Sequence, residues 1–170
     1  WRKYGKKKGF AIFNDKEIRN ELKRLGLFEK RSHQKFIPKE YLYTTTEERI
    51  ELLRGLFDTD GYNDNRSYRV EYCTVSEQLA KDVSFLVRSL GGKVSIYTKI
   101  GSYKNKENVR VQCKKVYRIS CRLKDKNNFF SLKRKIKPRK QGKEIRLNFT
   151  SIARVEDKKM RCIRVSSPEH

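Results

Sequence analysis

The sequence predicts an α+β domain, one twisted antiparallel sheet with helices packed on a single face. Three observations lead there. Helical and period-two segments follow one another in blocks, the strand-like segments are rich in β-branched and aromatic residues, and the turns between strands are short enough for antiparallel pairing. Strands of this kind bury one side only, so the opposite face of the sheet is left for a ligand. With 170 residues and 36% hydrophobic content, the chain can bury one sizeable core, and a single domain with appendages is expected.

The elements follow in order. WRKYGKKKG, residues 1–9, is a basic start expected to be mobile. From Asn14, NDKEIRNELKRLGL sets Ile18, Leu22 and Leu25 at helical spacing, with Asn14 or Asp15 as cap and Gly26 as stop. Residues 28–44 form a connector whose Pro38 argues against continuous helix. Thr45 and Glu48 have capping-box spacing, so the next helix is expected from about Thr46 to Asp60. The turn-rich YNDNRS leads into YRVEYCTV, a strand by its alternation. In SEQLAKDVSFLVRSLGG, Ser76 caps a helix with Leu79, Val83, Leu86, Val87 and Leu90 on one face, and Gly91 or Gly92 ends it. KVSIYTKI and VRVQCKKVYRISCRL are strands joined by the polar loop GSYKNKEN, and a short helix near DKNNFFSL closes the unit.

Charge narrows the partner. The chain has 43 Lys plus Arg against 20 Asp plus Glu, a formal charge of +23, and a pI near 10.1. Such a surface binds a polyanion. No apolar run approaches the roughly 20 residues of a spanning helix and no signal peptide opens the chain, so nucleic acid is expected in place of a membrane, and no small-molecule substrate. Cys73, Cys113, Cys121 and Cys162 form no C-x-x-C pair, and neither His33 nor His170 lies near the first three. They are expected to be buried or free thiols in a reducing, intracellular compartment, the cytoplasm.

The ligand face has chemistry suited to DNA. Arg69, Glu71, Lys93, Ser95, Tyr97, Lys99, Arg110, Gln112, Lys114, Arg118 and Arg122 fall on the strands, many two residues apart and so expected on one side of the pleat. Arg and Lys read guanine in a major groove, Gln reads adenine, and the remaining cations hold phosphates. The densest basic run, SLKRKIKPRKQGKEIR, residues 131–146, includes Lys133, Arg134, Lys135, Lys137 and Arg139. Phe129, Phe130, Leu132 and Ile136 are interleaved there, so its first part should dock on the core and fix one or two lysines.

One helix end breaks a local rule. In LLRGLFDTDGY, residues 52–62, Gly61 is the expected left-handed terminator, yet the last turn holds Asp58 and Asp60 where a cation would be stabilising by roughly 0.3–1 kcal/mol. Two acids at that end suggest a local need such as a metal ion.

LRGLFDTDG, Leu53 to Gly61, resembles the signature of the LAGLIDADG homing endonucleases. KFIPKEYLYTTTEERIELLRGLFDTDGY and EYCTVSEQLAKDVSFLVRSLGGKVSI resemble the second repeat of intein-encoded members, and the likeness covers roughly Asn14 to the C-terminus. It implies a saddle-shaped antiparallel sheet on double-stranded DNA. It implies two signature helices packed side by side, here through Leu53, Gly55, Leu56, Asp58 and Gly61. It implies that Asp60 binds Mg²⁺ at the scissile phosphate, metals shared between two such carboxylates activating water and stabilising the leaving oxygen. Asp58, toward the other side of the helix, is expected to hydrogen-bond at the helix end. A basic residue near the metals lies in a segment like NNFFSLKRK, which makes Lys133 and Lys135 the candidates, Lys133 the favoured one.

By the same resemblance, residues 1–44 are the end of a first repeat and a linker, 45–147 the second repeat with its DNA-binding sheet, and 148–170 the start of a C-terminal intein splicing segment. Only one signature helix is present, so a second half is expected from another polypeptide or a homodimer. MRCIRVSSPEH resembles the start of the splicing block, with Cys162 and His170 at functional positions, but no terminal His-Asn pair follows. The alternatives are therefore a split-intein portion, a non-cleaving DNA-binding module of the same fold, and an RNA-binding protein.

Overall fold

The structure, a computed structural model, describes residues 2–3, 10–11, 16–63, 69–124, 129–136, 146, 149 and 151–161. A two-residue ladder pairs β1 (Arg2–Lys3) with β2 (Phe10–Ala11). Helix α1 (Lys16–Arg24) then ends as its sequence requires: Gly26 takes φ +68°, and the Leu27 N–H reaches back to Leu22 O at 2.8 Å. The connector holds a single 3₁₀ turn, Ser32–Gln34, and the four-residue α2 (Lys39–Leu42), which starts directly after Pro38.

Helix α3 (Thr46–Asp60) begins with the predicted capping box: Glu48 donates its N–H to Thr45 Oγ1 at 3.3 Å, and Thr45 donates its own to Glu48 Oε2 at 3.1 Å. Strand β3 (Gly61–Asn63) follows without a loop, then β4 (Val70–Thr74). Helix α4 (Glu77–Ser89) is capped by Ser76, whose hydroxyl accepts the Leu79 N–H at 3.1 Å and donates to Lys35 O at 2.6 Å. Two long strands, β5 (Lys93–Lys104) and β6 (Arg110–Arg122), complete an antiparallel sheet in the order β3-β4-β6-β5. The fold is α+β, as predicted.

The core lies between the sheet and α3 and α4. Leu53 and Phe57 of α3, Val70 and Tyr72 of β4, Val83, Leu86 and Val87 of α4, and Ile119 of β6 are buried there. Phe57 is the hub, with ring centroids of Phe129, Tyr72 and Phe130 at 4.6, 5.3 and 6.1 Å. The connector is held to α4 by buried Asp82, whose carboxylate accepts the Ile37 N–H and the Gln78 side-chain amide, both at 2.8 Å. Cys121 is buried, and burial pushes its thiol up to about 12; Cys73 and Cys113 are exposed free thiols.

Several expectations change. Gly61 is not left-handed: its φ is −85°, and glycine is needed because a Cβ would sit 2.5 Å from Phe57 O. The loop expected over residues 101–108 is shorter, since β5 runs through Lys104. The turn forms where Asn105 Oδ1 accepts the N–H groups of Glu107 and Val109 at 3.0 and 2.9 Å. Tyr62 and Asn63, expected in a turn, extend β3. Of the short helix expected near residues 125–132, residues 125–128 lie outside the described residues. Beyond them the chain makes one turn, with Lys135 N–H on Leu132 O at 2.8 Å.

Candidate functional site

The end of α3 departs from the helix rule and then satisfies it from a distance. The Lys135 ammonium, at the far end of the fold in sequence, donates to Phe57 O at 2.9 Å, Gly61 O at 2.8 Å and Thr59 O at 3.4 Å. The cation missing from the last turn therefore comes from tertiary structure. Lys133, favoured from sequence, is exposed, as is Arg134, and neither side chain has a hydrogen bond or ion pair among the described residues.

The two acids of that turn have different surroundings. Asp58 accepts the backbone N–H groups of Ser131, at 3.1 and 3.2 Å, and of Leu132, at 3.2 Å. Asn63 completes the hold on this segment by donating its side-chain amide to Lys135 O at 2.8 Å. Asp60, by contrast, is exposed, and its carboxylate has no hydrogen bond or ion pair within the described residues. Its charge is felt by buried Tyr72, whose hydroxyl is pushed up to about 12, first by burial and then by the Asp60 carboxylate.

Among the described residues, no three His, Cys, Asp or Glu side chains come together to hold a metal. One exposed carboxylate fits a hard divalent cation only as part of a shell completed from outside the described residues, for which phosphate oxygens and a second carboxylate are suitable donors.

Helix α3 shows two faces. Leu53 and Phe57 are fully buried in the chain's own core, which removes Leu53 from any pairing surface; Gly61 likewise packs against Phe57. On another side, Leu52, Leu56, Thr59 and Asp60 line an open, mainly apolar cleft of about 810 Å³, whose opposite wall includes Leu22, Leu25 and Leu27. Gly55 belongs to that side by helical spacing, and nothing lies within 4 Å of where its Cβ would be. Leu52 and Thr59 are absent from the pairing face expected from sequence, because only the surrounding packing tells the two faces apart.

The sheet face opposite the helices carries much of the expected basic set. Cys73 pairs with Arg118, Tyr97 with Arg118 and Lys93 with Arg122, and residues paired across an antiparallel ladder point the same way. Lys99, two residues after Tyr97, shares this side, and exposed Arg69 adjoins it. Glu71 binds Arg118 Nε at 2.9 Å. The distal part of the β5–β6 arm departs from the expected alternation. Ile100 pairs with Lys115 but Ser102 pairs with Gln112, so Cys113 and Lys114 both stand opposite Gly101 in a bulge. Beyond it, Gln112 and Arg110 fall in phase with Ile100, not with Tyr97 and Lys99, and Arg110 donates to Ser102 Oγ at 2.9 Å. Lys114, within the bulge, instead meets His33 Nδ1 at 3.3 Å. Lys137, Arg139, Cys162 and His170 lie outside the described residues.

No helix of the described residues is long and apolar enough to cross a membrane. The sequence model of a LAGLIDADG-like domain matches residues 47–151, which takes in α3, the four-stranded sheet and α4. No curated protein matches the chain.

Proposed function

Since the chain belongs to the LAGLIDADG-like domain family, we propose that it is one half of a site-specific double-stranded DNA endonuclease of the homing type, hydrolysing phosphodiesters with a divalent metal. The observation that carries this reading is the division of labour at the end of α3: Asp58 is fully engaged with backbone N–H groups, whereas Asp60 presents a carboxylate with no hydrogen bond of its own. Asp58 already serves the helix end, and the Asp60 carboxylate is left open to an outside cation.

In this reading the basic sheet face grips the duplex, with Lys93, Lys99, Arg118 and Arg69 on phosphates or base edges and Tyr97 packed among them. Asp60, with a carboxylate of the second half and phosphate oxygens, would hold Mg²⁺, which when bound supplies Lewis-acid stabilisation and a more acidic water. The cleft beside Leu52, Gly55, Leu56 and Thr59 receives the other signature helix, from a separate polypeptide or a second copy. Residence in an intein, with residues 148–170 beginning a splicing segment that includes Cys162 and His170, rests on the sequence resemblance alone.

The test is nicking of a long duplex in Mg²⁺, with binding and solution mass followed in the same samples. Asp60→Asn should abolish cleavage and leave binding nearly intact. Loss of both together would make Asp60 structural, and a wild-type dimer that binds without nicking would favour a non-cleaving DNA-binding module.

A further inference from the structure

We propose that Lys135 is a positioning residue for Asp60, acting through the backbone of the α3–β3 junction and not by touching the phosphate. The proposal rests on the endonuclease reading for the role of Asp60, but its geometry stands independently. The three carbonyls that Lys135 binds belong to Phe57, Thr59 and Gly61, and the last two flank Asp60 directly. Phe57 O also accepts the Gly61 N–H, so one oxygen receives both the helix's own closing bond and the ammonium.

The grip is reciprocal. Asp58 holds the N–H groups of Ser131 and Leu132, while Asn63, two residues beyond the junction, holds the carbonyl of Lys135 itself. Hydrogen bonds thus leave the junction on both sides of Asp60 and return to the same short segment. Lys135 is half-buried, its ammonium lies 5.9 Å from the Phe130 ring centroid, and Phe130 is buried against Phe57. An ammonium with its donors on three carbonyls has little left to offer a water or a phosphate oxygen. Its effect is to neutralise the negative end of the helix dipole at the turn that carries Asp60, and to stop that turn from fraying.

Full-length wild type, Lys135→Met, Lys135→Arg and a surface control, Lys39→Met, are compared by amide hydrogen exchange and by plasmid nicking in Mg²⁺. Lys135→Met should speed exchange of the Gly61 amide by about tenfold or more with α4 unchanged, and lower kcat by a similar factor with KM for DNA steady; Lys135→Arg should recover much of both. Unchanged Gly61 exchange in Lys135→Met overturns the proposal whether or not the chain cuts DNA. Recovery of exchange but not of kcat by Lys135→Arg also overturns it, since the ammonium itself would then act in the reaction. A wild type that dimerises on the plasmid and never nicks it, with exchange responding as expected, overturns the endonuclease reading and supports the hold of Lys135 on the Asp60 turn.

Discussion

Asp58 accepts the Ser131 N–H through both carboxylate oxygens, at 3.2 and 3.1 Å, across 73 residues of chain. The contact ties the last turn of α3 to the segment that supplies Lys135, so the helix end and the basic run form one unit. Charged acceptors on backbone donors are among the stronger hydrogen bonds.

Asp58→Ala should therefore cost about 1–2 kcal/mol of stability, because two backbone donors lose their acceptor. Asp60→Asn should change stability by less than about 0.5 kcal/mol, as an exposed side chain without hydrogen bonds has little to lose. Urea unfolding of both variants checks this; equal losses would show that Asp60 has a structural bond.

Glycine substitutions in α3 should separate its two ends. Gly61→Ala places a methyl 2.5 Å from Phe57 O and 2.7 Å from Phe57 Cα, backbone atoms that cannot turn aside, and should destabilise by about 2–3 kcal/mol. Gly55→Ala meets nothing within 4 Å and should stabilise the isolated chain by about 0.5–1 kcal/mol through helix propensity. Thermal unfolding measures both, and a destabilised Gly55→Ala would mean that the cleft face is already covered.

Glu71 neutralises Arg118 on the basic face at 2.9 Å. Glu71→Gln should tighten binding to duplex DNA at low salt and steepen the plot of log K against log salt by about 0.9, the value for one more phosphate contact. Fluorescence anisotropy at several salt concentrations gives the slope. No change would remove Arg118 from the interface.

Tyr72 should titrate late, at about 12. A hydroxyl raised above its unfolded value of 10.0 stabilises the fold fully below about pH 10, and this contribution is lost as pH climbs through the folded value. Asp60→Asn removes the second cause and should move the late phase of tyrosinate absorbance downward, while burial, the first cause, keeps it above the ordinary value. A late phase indifferent to Asp60 would place the carboxylate farther from Tyr72.

Much of the architecture was legible because its signals are local. Thr45 with Glu48, Ser76, Gly26 and the spacing from Leu79 to Val87 depend on neighbours within a turn or two, and each does in the fold what its position suggests. Gly61 was legible as a stop but for another reason: the constraint is the approach to Phe57, not the hand of its backbone. The partners of Lys135 were illegible because they are backbone carbonyls 74–78 residues away, which no side-chain pattern marks. The arm's phase change was hidden for a similar reason. The two strands must be paired before Cys113 and Lys114 are found to share one position opposite Gly101.

That extra residue gives the arm an uneven response to sequence drift. A point substitution along β5 or β6 alters a single contact, leaving the rest of the recognition pattern in place. Deletion of Cys113 or Lys114 would instead leave Gln112 and Arg110 opposite Ser102 and Lys104, on the side they now take, and remove the bend and added twist that the bulge gives the tip. A lineage carrying such an arm can change what it recognises by small steps along its length and re-aim its whole tip by one change at the bulge.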